Sequence, residues 1–160
     1  MQVSAVSNGN YNDKLNFKGV VCKNPHIQTF MRDAEISDLH KFKEILLRIN
    51  NVPDNRVFIM RTAACMNTKW SYKPYKTFYE LHSKHINDGS IVPKKLIRFE
   101  EKESTRTKKL SIITEALKNF YTDKIKLENK TGQTEGSKDD LIREINTLLV
   151  DSVWGKLTNL

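Results

Sequence analysis

Apolar residues recur at helical spacing in three places along the chain. Leu39, Phe42, Leu46 and Ile49 fall three and four apart, with Ile45 widening the stripe, which predicts an amphipathic helix. Ser37 or Asp33 is its candidate cap, and Asn50-Asn51-Val52-Pro53 ends it. Leu110, Ile113, Leu117 and Phe120, with Tyr121, predict a second helix after the charged run 100–109. Ser137 and Asp140 form an S-x-x-D capping pattern, and Leu141, Ile145, Leu148, Leu149 and Val153 follow as a third stripe ended by Gly155.

Strand signals alternate with these helices. Residues 17–23 are rich in valine and stop at Asn24-Pro25, which predicts a short strand. In 56–64 the run Val57-Phe58-Ile59-Met60 is apolar without strict alternation, the pattern of a central strand. Residues 74–88 fit two elements. As a strand, Tyr75, Thr77, Tyr79 and Leu81 share one face and Lys76, Glu80, His82 and Lys84 the other, with Phe78 the exception; Asp88-Gly89 then turns the chain back into 95–100. As a helix, Pro74 opens it, Tyr75, Phe78, Tyr79, His82 and Ile86 form a stripe, and Gly89 stops it. The hairpin is the favoured reading. The fold class that results is α+β: a small, mainly antiparallel sheet (17–23, 56–64, about 75–83, 95–100) packed on one side by about three amphipathic helices.

At 160 residues the chain suits one domain. Its domain spans 17–160, behind an Asn-rich leader, 1–16, that carries too little apolar surface to offset its ordering entropy. A second flexible stretch is expected in the polar Gly/Thr loop 129–136. No run approaches the apolar length of a membrane span, and the start lacks a basic segment followed by an apolar one, so a cytoplasmic setting without membrane contact is expected. Cys22 and Cys65 follow no spacing pattern and read as reduced, buried small hydrophobes, with a disulfide as the alternative. The leader followed by Asn16-Phe17-Lys18-Gly19 resembles the opening of small uncharacterised bacterial proteins that share an Asn-rich leader and an Asn-Phe-x-Gly start. The resemblance covers about one eighth of the chain; it implies a bacterial origin and supplies no catalytic residue or ligand.

Short catalytic signatures are absent: there is no G-x-S-x-G, H-E-x-x-H, C-x-x-C or dinucleotide fingerprint. His82 and His85, with Cys65, assemble into a metal set only on a helix; on a strand, positions three apart point to opposite faces. Gly132 to Lys138 has three residues between its glycines where a phosphate loop needs four, and a linker plus helix cap accounts for it. Cys65, at a strand end, is a candidate nucleophile if His40 or His82 reaches it. Asp139 and Asp140 complement a helix N-terminus. No metal, cofactor or catalytic residue is assigned.

Charge then changes the picture. The formal net charge is +8, and residues 69–99 hold seven basic groups against two acidic ones, while the rest of the chain holds 20 against 17. Six of the aromatic rings sit in the same stretch: Trp70, Tyr72, Tyr75, Phe78, Tyr79 and Phe99. Lys69, Trp70, Tyr72, Lys73, Lys76, Lys94, Lys95 and Arg98 therefore form the candidate binding surface, with phosphate neutralisation and base stacking as its chemistry. Lysine outnumbers arginine six to one there, which instead suits a lysine-protected sheet edge. The resulting expectation is a non-catalytic binding or interaction module with a protein partner. A non-specific nucleic-acid-binding protein is the alternative, and a small cysteine-dependent enzyme comes third.

Overall fold

In the computed structural model, residues 18–66, 74–85, 94–122 and 136–151 are described. Strand β1 (Val20–Val21) leads into helix α1 (Pro25–Asp33) and helix α2 (Ile36–Ile49). Strands β2 (Arg56–Met66), β3 (Pro74–His85) and β4 (Lys94–Glu100) follow. A 3₁₀ turn, Glu103–Lys108, opens helix α3 (Lys109–Phe120), and helix α4 (Lys138–Leu148) comes last. The fold is α+β, with a four-stranded sheet in the order β1-β2-β3-β4. β1 pairs with β2 in parallel, and the other two pairings are antiparallel. The ambiguous segment is a strand over Pro74–His85, and the proposed Asp88-Gly89 turn lies outside the described residues, as do the leader 1–16 and most of the loop 129–136.

Helix α1 is the element that hydropathy alone does not announce. Asn24-Pro25 was expected to end a strand; the same dipeptide starts a helix. Asn24 Oδ1 accepts from the Ile27 amide at 3.0 Å, and Pro25, lacking an amide proton, takes a position where none is needed. The described residues thus contain four α-helices where three were expected. Neither Asp33 nor Ser37 caps α2: Asp33 ends α1, Ser37 lies within the helix, and Glu35 holds the N-cap without a side-chain bond. In α4 the expected cap is present, with the Asp140 amide donating to Ser137 Oγ at 3.1 Å. That helix stops at Leu148, earlier than its apolar stripe implied. Leu149 turns extended and Val150 bridges Cys22, with the Lys23 amide donating to the Val150 carbonyl (2.6 Å) and the Val150 amide to that of Val21 (2.9 Å). The outer edge of β1 is closed by this contact.

The core lies on one face of the sheet. Phe58 and Met60 of β2 and Tyr79 and Leu81 of β3 meet Phe30, Leu39, Phe42, Ile45, Leu46, Leu110, Ile113, Leu117 and Ile145 from the four helices. Alternation sends the intervening residues Ile59, Arg61, Phe78, Glu80 and His82 to the far face. Lys109 is buried beneath the sheet margin, with its ammonium 2.6 Å from Glu101 and 5.1 Å from the centre of the Tyr79 ring. Pairing and ring contact together compensate the burial of that charge. No helix among the described residues is long and apolar enough to cross a membrane.

Candidate interaction site

The far sheet face collects the charged residues that the sequence had grouped. Register sets Arg61, Glu80 and Arg98 in one row across three strands, and Ile59, His82 and Lys95 in the next. Glu80 sits at the centre with 14% of its side chain exposed. His82 donates Nε2–H to it at 2.9 Å, while Arg98 Nε lies 3.6 Å and Lys95 Nζ 3.8 Å away. The Arg98 guanidinium also stands 4.0 Å from the centre of the Phe78 ring, which explains how a phenylalanine occupies this polar face. Along the same face Glu100 is approached by Lys76 at 3.7 Å and Lys102 at 3.4 Å.

These contacts bear on acid stability. The His82 hydrogen bond, aided by Lys95, charged His82 and Arg98 and opposed by burial, holds the Glu80 carboxyl below its ordinary 4.5. Glu101 is held below the same value, first by its hydrogen bond from Lys109. A carboxyl with a depressed folded pKa binds fewer protons folded than unfolded. Its stabilisation is complete above the unfolded value and drains as pH falls through the folded one. The urea midpoint is therefore expected to drop as pH falls below about 4.5. Glu80→Gln should flatten part of that drop; an unchanged acid profile in this variant would contradict the assignment.

The other side of the β4 margin is different in character. The pairing of β3 with β4 shifts between Leu81 and His82, so that Leu81 faces Ile97 while His82 faces Lys95. This irregularity leaves Leu96 as the extra residue of a bulge. Lys94 pairs with buried Ser83 and so belongs to the helix side, away from Lys95 and Arg98. Between the start of β4 and the last turns of α3 lies an open groove of about 380 Å³ lined by Lys94, Lys95, Leu96, Ile97, Ala116, Asn119 and Phe120. Leu96, Ile97, Ala116 and Phe120 are half-buried apolar residues that pack on the core from below. Phe120 is fixed from behind by edge-on contact with Phe58 and by Arg56, whose guanidinium lies 5.0 Å from its ring centre. The groove floor is therefore firm. Its rim carries two lysines and no acid.

The structure divides the sequence-derived candidate surface. Lys76, Lys95 and Arg98 gather on the far face, Lys94 lies on the helix side and lines the groove together with Lys95, and Lys69, Trp70, Tyr72 and Lys73 lie outside the described residues. His82 and His85 stand three apart on β3, hence on opposite faces, and no group of three His, Cys, Asp or Glu able to hold a metal occurs among the described residues. Cys65 pairs in register with Lys76 near the end of β2. Cys22 is buried at the sheet edge, and burial pushes its thiol up to about 12, which keeps it protonated and unreactive. Sequence reasoning missed the groove because Leu96 and Phe120 belong to separate elements; the adjacent apolar pair Leu96-Ile97, breaking strand alternation, was its one local sign.

Comparison of the chain with protein-family models, with curated proteins and with solved structures finds no match.

Proposed function

We propose that the protein is a non-catalytic interaction module that captures a partner in the groove between β4 and α3. The observation that carries this reading is the groove itself: an apolar floor, open to solvent, beside a sheet margin and rimmed by lysine. Its volume of about 380 Å³ sits at the small end of the range for ligand clefts, about 300–1,000 Å³, and suits an anchor side chain better than a whole cofactor. The far face supports nucleic-acid binding less well. Lys76, Lys95, Arg98 and Lys102 already share Glu80 and Glu100, so a phosphate there must compete with carboxylates held at 3.4–3.8 Å.

Selection from a random peptide library displayed on phage tests the reading. Selected peptides are expected to lose about tenfold or more in affinity for Ala116→Trp, which fills the groove, and for Asn119→Trp at its exposed rim, a loss typical of a blocked anchor pocket. Thermal melts confirm that each variant is folded. Unchanged affinity in both folded variants would remove the groove as the site. Displacement of the peptides by oligothymidylate, weakening steeply with salt, would transfer the reading to nucleic acid.

A further inference from the structure

We propose that the occupant of the groove is an extended, acidic segment of a partner protein that adds to β4 as a fifth strand; the inference rests on the groove being the binding site. The two margins of the sheet are unequal. β1 is closed on its outer side by Val150, whereas no described residue pairs with the outer edge of β4. The Glu101 amide donates to the Thr77 carbonyl at 2.7 Å, so alternation directs the backbone groups of Phe99 and Ile97 toward β3 and those of Arg98 and Glu100 outward. Outward amides and carbonyls are a template for an added strand.

Charge decides what kind of strand. Lys94 makes no ion pair among the described residues, and Lys95 shares the single carboxylate of Glu80 with Arg98 and His82. The edge is therefore left with positive charge that an acidic segment neutralises. A second copy of this chain suits the edge poorly. Pairing two β4 strands opposes the Lys94, Lys95 and Arg98 of both, offset only by Glu100 from each, and the bulge at Leu96 kinks the edge away from flat self-pairing. The groove supplies the remaining specificity. Side chains of an added strand alternate between faces, so every second one enters the apolar floor formed by Leu96, Ile97, Ala116 and Phe120, and those between face the Lys95–Arg98 side. Alternating apolar and acidic residues are the pattern expected of the partner.

The test titrates the full chain with three capped peptides followed by amide NMR and anisotropy. One alternates Val and Glu, one alternates Val and Lys, and one is the Val/Glu peptide methylated at every backbone nitrogen. The Val/Glu peptide is expected to bind and to shift amides of β4 and the last turn of α3. Methylation, the Val/Lys exchange, or the protein double variant Lys94→Glu with Lys95→Glu should each weaken binding about tenfold or more, the scale of losing backbone pairing or reversing charge complementarity. Equal binding of the methylated peptide would overturn strand addition, and equal binding of the Val/Lys peptide would overturn the acidic partner. If Val/Glu fails to bind while phage-selected peptides still lose affinity for Ala116→Trp, the acidic strand falls and the groove stands. If the selected peptides ignore Ala116→Trp and Asn119→Trp, the groove reading falls as well.

Discussion

Phe58→Ala is expected to lower the free energy of unfolding by about 3–5 kcal/mol, the cost of deleting a large buried aromatic whose cavity cannot fully collapse. Phe58 is fully buried in β2 and makes edge-on contacts with Phe120 and Tyr121, with ring centres at 5.5 and 5.8 Å. It therefore joins the sheet to the C-terminal end of α3, and its loss opens space under the groove floor. Set against a typical domain stability of about 5–15 kcal/mol, the change removes a large share of the total. Urea denaturation reads it as a lowered midpoint. Phe78→Ala supplies the contrast: its ring lies on the far face and stacks on Arg98, so only about 0.5–1 kcal/mol of cation–π energy, plus some burial, is at stake. Equal losses from the two phenylalanines would contradict the assignment of the core to one face.

Gly19→Ala carries the second large effect. A Cβ built at Gly19 meets Ile49 Cγ2 at 2.8 Å, the Tyr121 hydroxyl at 3.0 Å and Asp54 Oδ1 at 3.2 Å. None of these neighbours is free to move. Ile49 and Tyr121 are fully buried, and the Tyr121 hydroxyl donates to Asp54 Oδ2 at 2.8 Å. Burial, then that bond to Asp54, raises the tyrosine pKa above its ordinary range, so the hydroxyl stays a donor. The Gly19 amide in turn donates to the Val52 carbonyl at 3.0 Å, which fixes the backbone in place. Overpacking of this kind costs about 1–3 kcal/mol. The smaller unfolded-state entropy of alanine offsets only about 0.4–1 kcal/mol of it. A midpoint that rises in the variant would show that the contact yields. The glycine of the Asn-Phe-x-Gly start thus has a packing reason independent of any ligand.

How far the sequence disclosed this molecule depends on the range over which each signal acts. The stripe Leu39, Phe42, Leu46, Ile49 and the Ser137 cap are local, and both survive in the structure at their expected residues. The alternation of Tyr79 and Leu81 against Glu80 and His82 likewise decided correctly for a strand over Pro74–His85. Where one residue serves two purposes, the local signal misled. Leu149 continues the apolar stripe of α4 but turns extended so that Val150 closes the β1 edge, and Asn24-Pro25 looks like a terminator although it starts α1. The candidate surface was legible as composition and not as geometry. Strand alternation parts Lys94 from Lys95, and a bulge at Leu96, invisible in a count of charges, places Lys95 with Arg98 and leaves Lys94 on the helix side. The groove needs Leu96 and Ile97 against Ala116 and Phe120, which no local periodicity connects.

Charge counting also overstated the far face. Seven basic groups against two acids suggested a phosphate track over 69–99, but the described Lys76, Lys95 and Arg98 converge on Glu80 and on Glu100, the acid just beyond that stretch. An ion pair at such distances on an open face contributes about 0–1 kcal/mol to stability, so these contacts set orientation more than they hold the sheet together. Lys94 stands outside that network and lines the groove.

Amide-resolved NMR of the chain during titration with the phage-selected peptides tests the central claim most directly. Binding in the groove predicts shifts at Lys94–Glu100 and at Ala116, Asn119 and Phe120, with Arg61 and Lys76 unmoved. Shifts centred on Arg61, Lys76 and Phe78, with the last turn of α3 silent, would contradict it.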